Sequence, residues 1–129
     1  MKQKWFITIW ENGDYFDLWH VNHFLAGSLL GYVSFFFEAP PLTGLWISLI
    51  LMVAWELYEI FQKIEETVFN RYADVILGLI AFLIQFYWSK AISPALAQGI
   101  FIALLMVWVI LELWGFYAYL VLKRVESRR

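Results

Sequence analysis

LTGLWISLILMVAWELYEIF, residues 42–61, is the stretch that decides the fold of this chain. A helix that crosses a bilayer needs roughly 20 predominantly apolar residues, and this stretch supplies them. Its two carboxylates, Glu56 and Glu59, stand one helical turn apart near its end. Ionisable groups are costly in hydrocarbon, so such a pair inside a predicted span is by default a hypothesis for a functional site.

Three further apolar stretches predict spans before and after residues 42–61, which makes four spans in chain order: 15–37, 42–61, 72–88 and 94–122. Pro40 and Pro41 separate the first two spans, Thr43 is the predicted N-cap of the second, and Ser93-Pro94 is a typical helix start. The whole chain is 63% hydrophobic and 16% charged, against about half and a quarter in soluble domains. We therefore predict one all-α domain, a polytopic membrane four-helix bundle.

The basic residues predict the orientation of these spans. An even number of spans places both termini on one side, and eight of the nine basic residues then share that side: Lys2, Lys4, Lys63, Arg71, Lys123, Arg124, Arg128 and Arg129. Lys90 alone falls on the other side. Because cytoplasmic loops are enriched in Lys and Arg, the N- and C-termini are predicted to be cytoplasmic.

Small residues at helical spacing predict where the helices approach each other. Gly27 and Gly31 recur four residues apart in the first span, and Gly78 and Ala81 recur three apart in the third. Such residues let two backbones come close in a membrane, where packing replaces the hydrophobic effect as the main attraction between helices. We expect these four positions to form helix-packing surfaces.

The ionisable residues of the spans are predicted to gather in the cytoplasmic half of the bundle. This cluster comprises His20, His23, Glu56, Glu59, Asp74 and Glu112, with Asn70, Arg71 and Lys63 as members of a surrounding polar network. Glu65 and Glu66 are assigned to a solvated face of the following connection. Glu11, Asp14 and Asp17 are assigned to the positive N-terminal end of the first helix.

Three interpretations of the cluster remain open. Histidine with several carboxylates suits a divalent transition metal such as Zn, Mn or Fe. The same groups could instead neutralise one another as a network that sets helix register. A headgroup or polyprenyl-phosphate site is the third interpretation, although the excess of acids would repel phosphate unless a divalent ion intervened.

The composition excludes several other classes. The chain has no cysteine, which excludes disulfides and thiolate chemistry. Its net charge of −2 gives no basis for binding nucleic acid. His20 and His23 lie on the same helix one turn apart, so they cannot ligate a haem from both sides within one copy.

Part of the chain resembles the VanZ-like small bacterial membrane proteins. The resemblance rests on Asp17-x-x-His20-x-x-His23-Phe24, the acidic end of the second span, and Arg71-x-x-Asp74 followed by Gly78. This chain has Leu18, Gly78 and Ala81 where the family has Lys, Asn and Gly. The resemblance implies a multi-pass protein of the bacterial inner membrane linked to the cell envelope.

We therefore expect a small accessory or binding protein of the inner membrane, built around a cytoplasmic-side cluster of histidines and carboxylates. The alternative is a metal-dependent membrane protein or enzyme that acts on a lipid-linked or polyprenyl substrate. The expected partners are the lipid bilayer and a larger membrane complex or further copies of the chain. No residue is assigned a catalytic role.

Overall fold

The computed structural model describes residues 5–10, 17–64 and 66–126 of the chain. The helices are α1 (Trp5–Thr8), α2 (Trp19–Phe36), α3 (Pro41–Phe61), α4 (Val68–Ser89) and α5 (Pro94–Glu126). Helices and their connections make up these described residues, with no strand among them. The predicted all-α architecture is therefore confirmed, with four long helices and the one-turn helix α1.

Three of the helices are long and apolar enough to cross a membrane, and they span residues 41–61, 68–89 and 94–124. Much of their surface consists of exposed large apolar side chains, among them Ile50, Leu83 and Ile110. Exposed apolar surface on this scale fits lipid better than water. The chain thus has the character of a membrane protein, as the sequence predicts.

Helix α2 differs from these three because it is the polar and buried member of the bundle. His20, Asn22 and His23 lie in its first two turns and are all buried. These residues keep α2 outside the group of helices that qualify as spans by composition. Its surroundings are therefore chiefly protein rather than lipid.

Turn and capping residues account for the helix starts. Pro41 is the first residue of α3 and Pro40 is its cap, so the prediction of Thr43 as N-cap is wrong. Proline suits that first position because the missing N–H has no helical partner there. Thr67 caps α4 by accepting a hydrogen bond from the backbone N–H of Asn70 at 3.1 Å, which starts α4 one turn before the predicted residue 72. Ser93 caps α5 as predicted, accepting from the N–H of Leu96 at 3.3 Å.

Helices α2 and α4 form the centre of the molecule and run parallel to each other. Contacts that show this are, in order along α2, His20 with Asp74, Gly27 with Gly78, and Gly31 with Phe82. A Cβ at Gly27 would overlap the carbonyl oxygen of Gly78, and one at Gly31 would lie 2.7 Å from that of Phe82. The two backbones are therefore in direct contact, and the space at Gly27 does not admit a larger residue.

Helices α3 and α5 run antiparallel to this central pair. Along α2 from start to end, α3 contributes Glu56 near His23 and then Gly44 near Ser34. Helix α5 places Gly115 beside Trp19 and Phe101 beside Tyr32. The start of α2, the end of α3, the start of α4 and the later half of α5 consequently share one end of the bundle.

The connection between α3 and α4 is an irregular segment, and helix does not continue through it. Lys63 has a left-handed backbone with φ of 57°. The N–H of Ile64 donates to the carbonyl of Glu59 at 3.1 Å, which closes the last turn of α3. This arrangement ends the helix without Gly or Pro, and it turns the chain back over the end of the bundle where Glu56 lies.

Candidate metal centre

The predicted gathering of histidines and acids at one end of the bundle is confirmed. Its centre is formed by His23 of α2, Glu56 of α3 and Asp74 of α4, and all three are buried. One ligand atom from each of them lies within 4.8 Å of the others. His23 Nε2 is 3.8 Å from Glu56 Oε1 and 4.0 Å from Asp74 Oδ2. We call this group the inner triad.

The two carboxylates of the inner triad accept no hydrogen bond from any of the described residues. This holds for both oxygens of Glu56 and both oxygens of Asp74. Their exposed side-chain fractions are 8% and 1%, so water does not readily replace the missing donors. A buried polar group without a partner costs about 1–3 kcal/mol, and a charged one costs more.

Two side chains that can carry a positive charge lie near these oxygens without hydrogen bonding to them. Arg71 Nη1 is 3.9 Å from Glu56 Oε2, and His20 Nδ1 is 3.5 Å from Asp74 Oδ1. Charge-assisted hydrogen bonds are shorter, at about 2.7–2.9 Å. These neighbours therefore weaken the repulsion among the acids but leave the oxygens open to a further ligand.

A second group of carboxylates adjoins the inner triad and shares one member with it. Glu56, Glu59 and Glu66 also bring one ligand atom each within 4.8 Å of the others. We call this group the outer triad. Trp55 Nε1 donates to Glu59 Oε1 at 2.9 Å, whereas Glu59 Oε2 accepts no hydrogen bond within the described part of the chain.

Glu66 belongs to the connection rather than to a helix, and its carboxyl is partly buried. Burial raises its pKa, while the nearby Arg71 guanidinium opposes that change. The assignment of Glu66 to a solvated face is therefore wrong. The sequence offers no signal for this position, because helical periodicity does not extend into an irregular segment.

Asp17 and Asn70 form a layer behind the inner triad together with His20. Asn70 Nδ2 donates to Asp17 Oδ2 at 3.0 Å, and Asp17 Oδ1 lies 3.2 Å from His20 Nδ1. Since His20 Nδ1 also lies 3.5 Å from Asp74 Oδ1, this layer adjoins a carboxylate of the triad, where outer partners commonly lie around metal sites. Sequence reasoning assigned Asp17 to a helix terminus, although its spacing of three residues from His20 was a usable signal.

Arg71 links the connection between α3 and α4 to the end of α3 by two hydrogen bonds. Its Nη2 donates to the carbonyl of Ile64 at 2.9 Å, and its Nη1 donates to the carbonyl of Glu56 at 3.3 Å. One planar guanidinium thus holds the connection and the α3 backbone together. Through these bonds Arg71 also keeps Glu66 beside the end of α3.

Replacing Arg71 is expected to loosen this connection. Arg71→Gln removes hydrogen bonds from a charged donor, each of which contributes about 1.5–3 kcal/mol. We expect cleavage after Lys63 by a lysine-specific protease to accelerate by at least about tenfold, because cleavage requires local opening. The fragments are identified by mass spectrometry of the protein in detergent. Arg124→Gln is the control, and equal cleavage of the two variants would contradict the role given to Arg71.

Two residues of the predicted set lie outside these groups. Glu112 is half-buried on α5, and it belongs to neither triad among the described residues. Lys63 is exposed and forms no ion pair with the described residues of the cluster. The structure therefore places His23, Glu56, Glu59 and Asp74 in the triads, His20, Asn70 and Arg71 around them, and Glu112 and Lys63 apart.

The inner triad offers a nitrogen and two carboxylates, a combination typical of sites for Zn, Mn or Fe. Both triads could accept a hard divalent cation in their carboxylate oxygens. Comparison of the chain with protein families, curated proteins and solved structures gives no match.

Proposed function

We propose that this chain is a membrane-embedded binding protein that holds a divalent transition-metal ion among α2, α3 and α4. The proposed ligands are His23 Nε2 and the carboxylates of Glu56 and Asp74. The observation that carries this proposal is the set of four buried carboxylate oxygens without hydrogen-bond donors. A cation that coordinates them would replace the interactions that the protein itself does not supply.

A self-neutralising network fits these observations less well. Such a network would place donors against the buried oxygens, because breaking or omitting one partner of a buried charge costs several kcal/mol. Here the nearest nitrogens of His23 and Arg71 lie 3.8 Å and 3.9 Å from the oxygens of Glu56, beyond hydrogen-bond distance. Around Asp17, by contrast, the chain does build a hydrogen bond of 3.0 Å with Asn70. Asn70 thus supplies a donor to Asp17, whereas no described residue donates to the carboxylates of Glu56 and Asp74.

We also propose that the protein lies in the bacterial inner membrane, with the metal at the cytoplasmic end of the bundle. Among the described basic residues, Lys63, Arg71, Lys123 and Arg124 belong to the end of the bundle that carries the cluster, and Lys90 belongs to the other end. The positive-inside rule supports this orientation. The resemblance to VanZ-like proteins supports the same location.

Metal analysis of the purified protein tests the proposal. We expect protein purified in mild detergent without chelator to contain Zn, Mn or Fe by mass spectrometry, or to take it up in equilibrium dialysis. Glu56→Gln should lower the affinity by more than about 100-fold, because loss of even an outer partner costs 10–100-fold.

Glu112→Gln provides the matched control for this experiment, since it changes a half-buried carboxylate of a long helix outside both triads. It should bind metal as the wild type does. Wild-type protein that takes up none of the three metals would overturn the proposal, as would unchanged binding by Glu56→Gln.

A further inference from the structure

We infer that the cluster holds two neighbouring divalent cations bridged by the Glu56 carboxylate, one in the inner triad and one in the outer triad. This inference rests on the proposed function, since it adds a second ion to the same centre. The class of ligand is a small, hard or borderline divalent cation such as Mn²⁺, Fe²⁺ or Zn²⁺.

Glu56 occupies the position that a bridging ligand requires. It belongs to both triads, and within each triad the three ligand atoms lie within 4.8 Å of one another. Its oxygens face different neighbours, since Oε1 lies 3.8 Å from His23 and Oε2 lies 3.9 Å from Arg71, the residue beside the outer triad. One carboxylate can thus serve both ions, which in two-metal sites lie about 3.5–4 Å apart.

The outer triad also contains buried oxygens that are open to a ligand. Neither oxygen of Glu56 accepts a hydrogen bond from the described residues, and the same is true of Glu59 Oε2. Glu59 is buried, and the indole of Trp55 holds its other oxygen at 2.9 Å. This bond orients the carboxylate and leaves Oε2 available.

The formal charges of the cluster match two divalent ions. Its carboxylates are Asp17, Glu56, Glu59, Glu66 and Asp74, and its guanidinium is Arg71. With His23 neutral, as metal ligation requires, the five carboxylates exceed the one guanidinium by four charges. One divalent ion would leave two of them uncompensated in a buried site, where unpaired charge is costly. Two ions neutralise the cluster.

The geometry also separates the residues that serve each ion. Asp74 belongs to the inner triad alone, and Glu59 belongs to the outer triad alone. Asp74→Asn and Glu59→Gln therefore remove a charged ligand from one site each while preserving side-chain shape. Glu56→Gln affects both sites.

The test measures the metal-to-protein ratio by equilibrium dialysis against Mn²⁺, followed by mass spectrometry. We expect two ions per chain in the wild type and in Glu112→Gln. Asp74→Asn and Glu59→Gln should each retain one ion, and Glu56→Gln should bind both ions more than about 100-fold more weakly. Electron paramagnetic resonance should show magnetically coupled Mn²⁺ in the wild type and an isolated ion in Glu59→Gln.

Several outcomes distinguish this inference from the proposed function. One ion per wild-type chain that Asp74→Asn removes and Glu59→Gln leaves in place would overturn the pair while supporting the single site. Two ions without magnetic coupling would overturn the bridge. No uptake of Mn²⁺, Fe²⁺ or Zn²⁺ by the wild type would overturn both.

Discussion

Gly27→Ala is expected to lower the free energy of unfolding by about 3 kcal/mol, at the upper end of the usual cost of overpacking. The added methyl group would overlap the carbonyl oxygen of Gly78. Because backbone atoms cannot rotate away as a side chain can, α2 and α4 would have to separate. The measurement is unfolding in mixed micelles by titration with dodecyl sulfate, followed by circular dichroism.

Gly99→Ala is the matched control for this substitution. A Cβ at Gly99 would meet nothing within 4 Å, so the change should not destabilise the protein, and it should stabilise α5 by up to about 1 kcal/mol because alanine favours a helix over glycine. Similar unfolding curves for the two variants would show that α2 and α4 do not approach as closely as described. Separation of these helices should also weaken the proposed metal binding, because α2 supplies His23 and α4 supplies Asp74.

Removing the proposed metal ion is expected to destabilise the bundle. At a free-ion concentration 100 times the Kd, a bound ion contributes about 2.7 kcal/mol to stability. Addition of EDTA should therefore shift the unfolding transition of the wild type to lower dodecyl sulfate, and Mn²⁺ or Zn²⁺ should restore it. The reason is that the apo cluster retains carboxylates without hydrogen-bond donors at Glu56 and Asp74.

The stabilisation of the bundle by the proposed metal should depend on pH. Metal ligands must be deprotonated, so affinity falls as the pH falls, and the stabilisation by metal should shrink in the same direction. In Glu56→Gln, metal and EDTA should leave the transition unchanged at every pH. Identical transitions of the wild type with and without metal would contradict a coupling between the cluster and the fold.

Much of the fold follows from local properties of the chain. The apolar runs suffice to predict the long helices, and Ser93-Pro94 suffices to predict the start of α5, since span length and capping depend on nearby residues. The starts of α3 and α4 instead lie before the predicted ones. The same reasoning brings His23, Glu56 and Asp74 to one end, because the helix order alone determines which termini meet. The prediction from sequence agrees least with the structure at Lys63, where a residue with a left-handed backbone that is neither Gly nor Asn ends α3.

The sequence by itself thus determined the helical membrane architecture and the gathering of histidines and acids at one end of it. Only the tertiary structure decided the membership of the two triads. Glu66 joins the cluster because Arg71 holds an irregular connection in place, and Glu112 stays apart on α5. Periodicity fixes the face of a side chain on its own helix. Distances between helices depend instead on packing, here on the contact of Gly27 with Gly78.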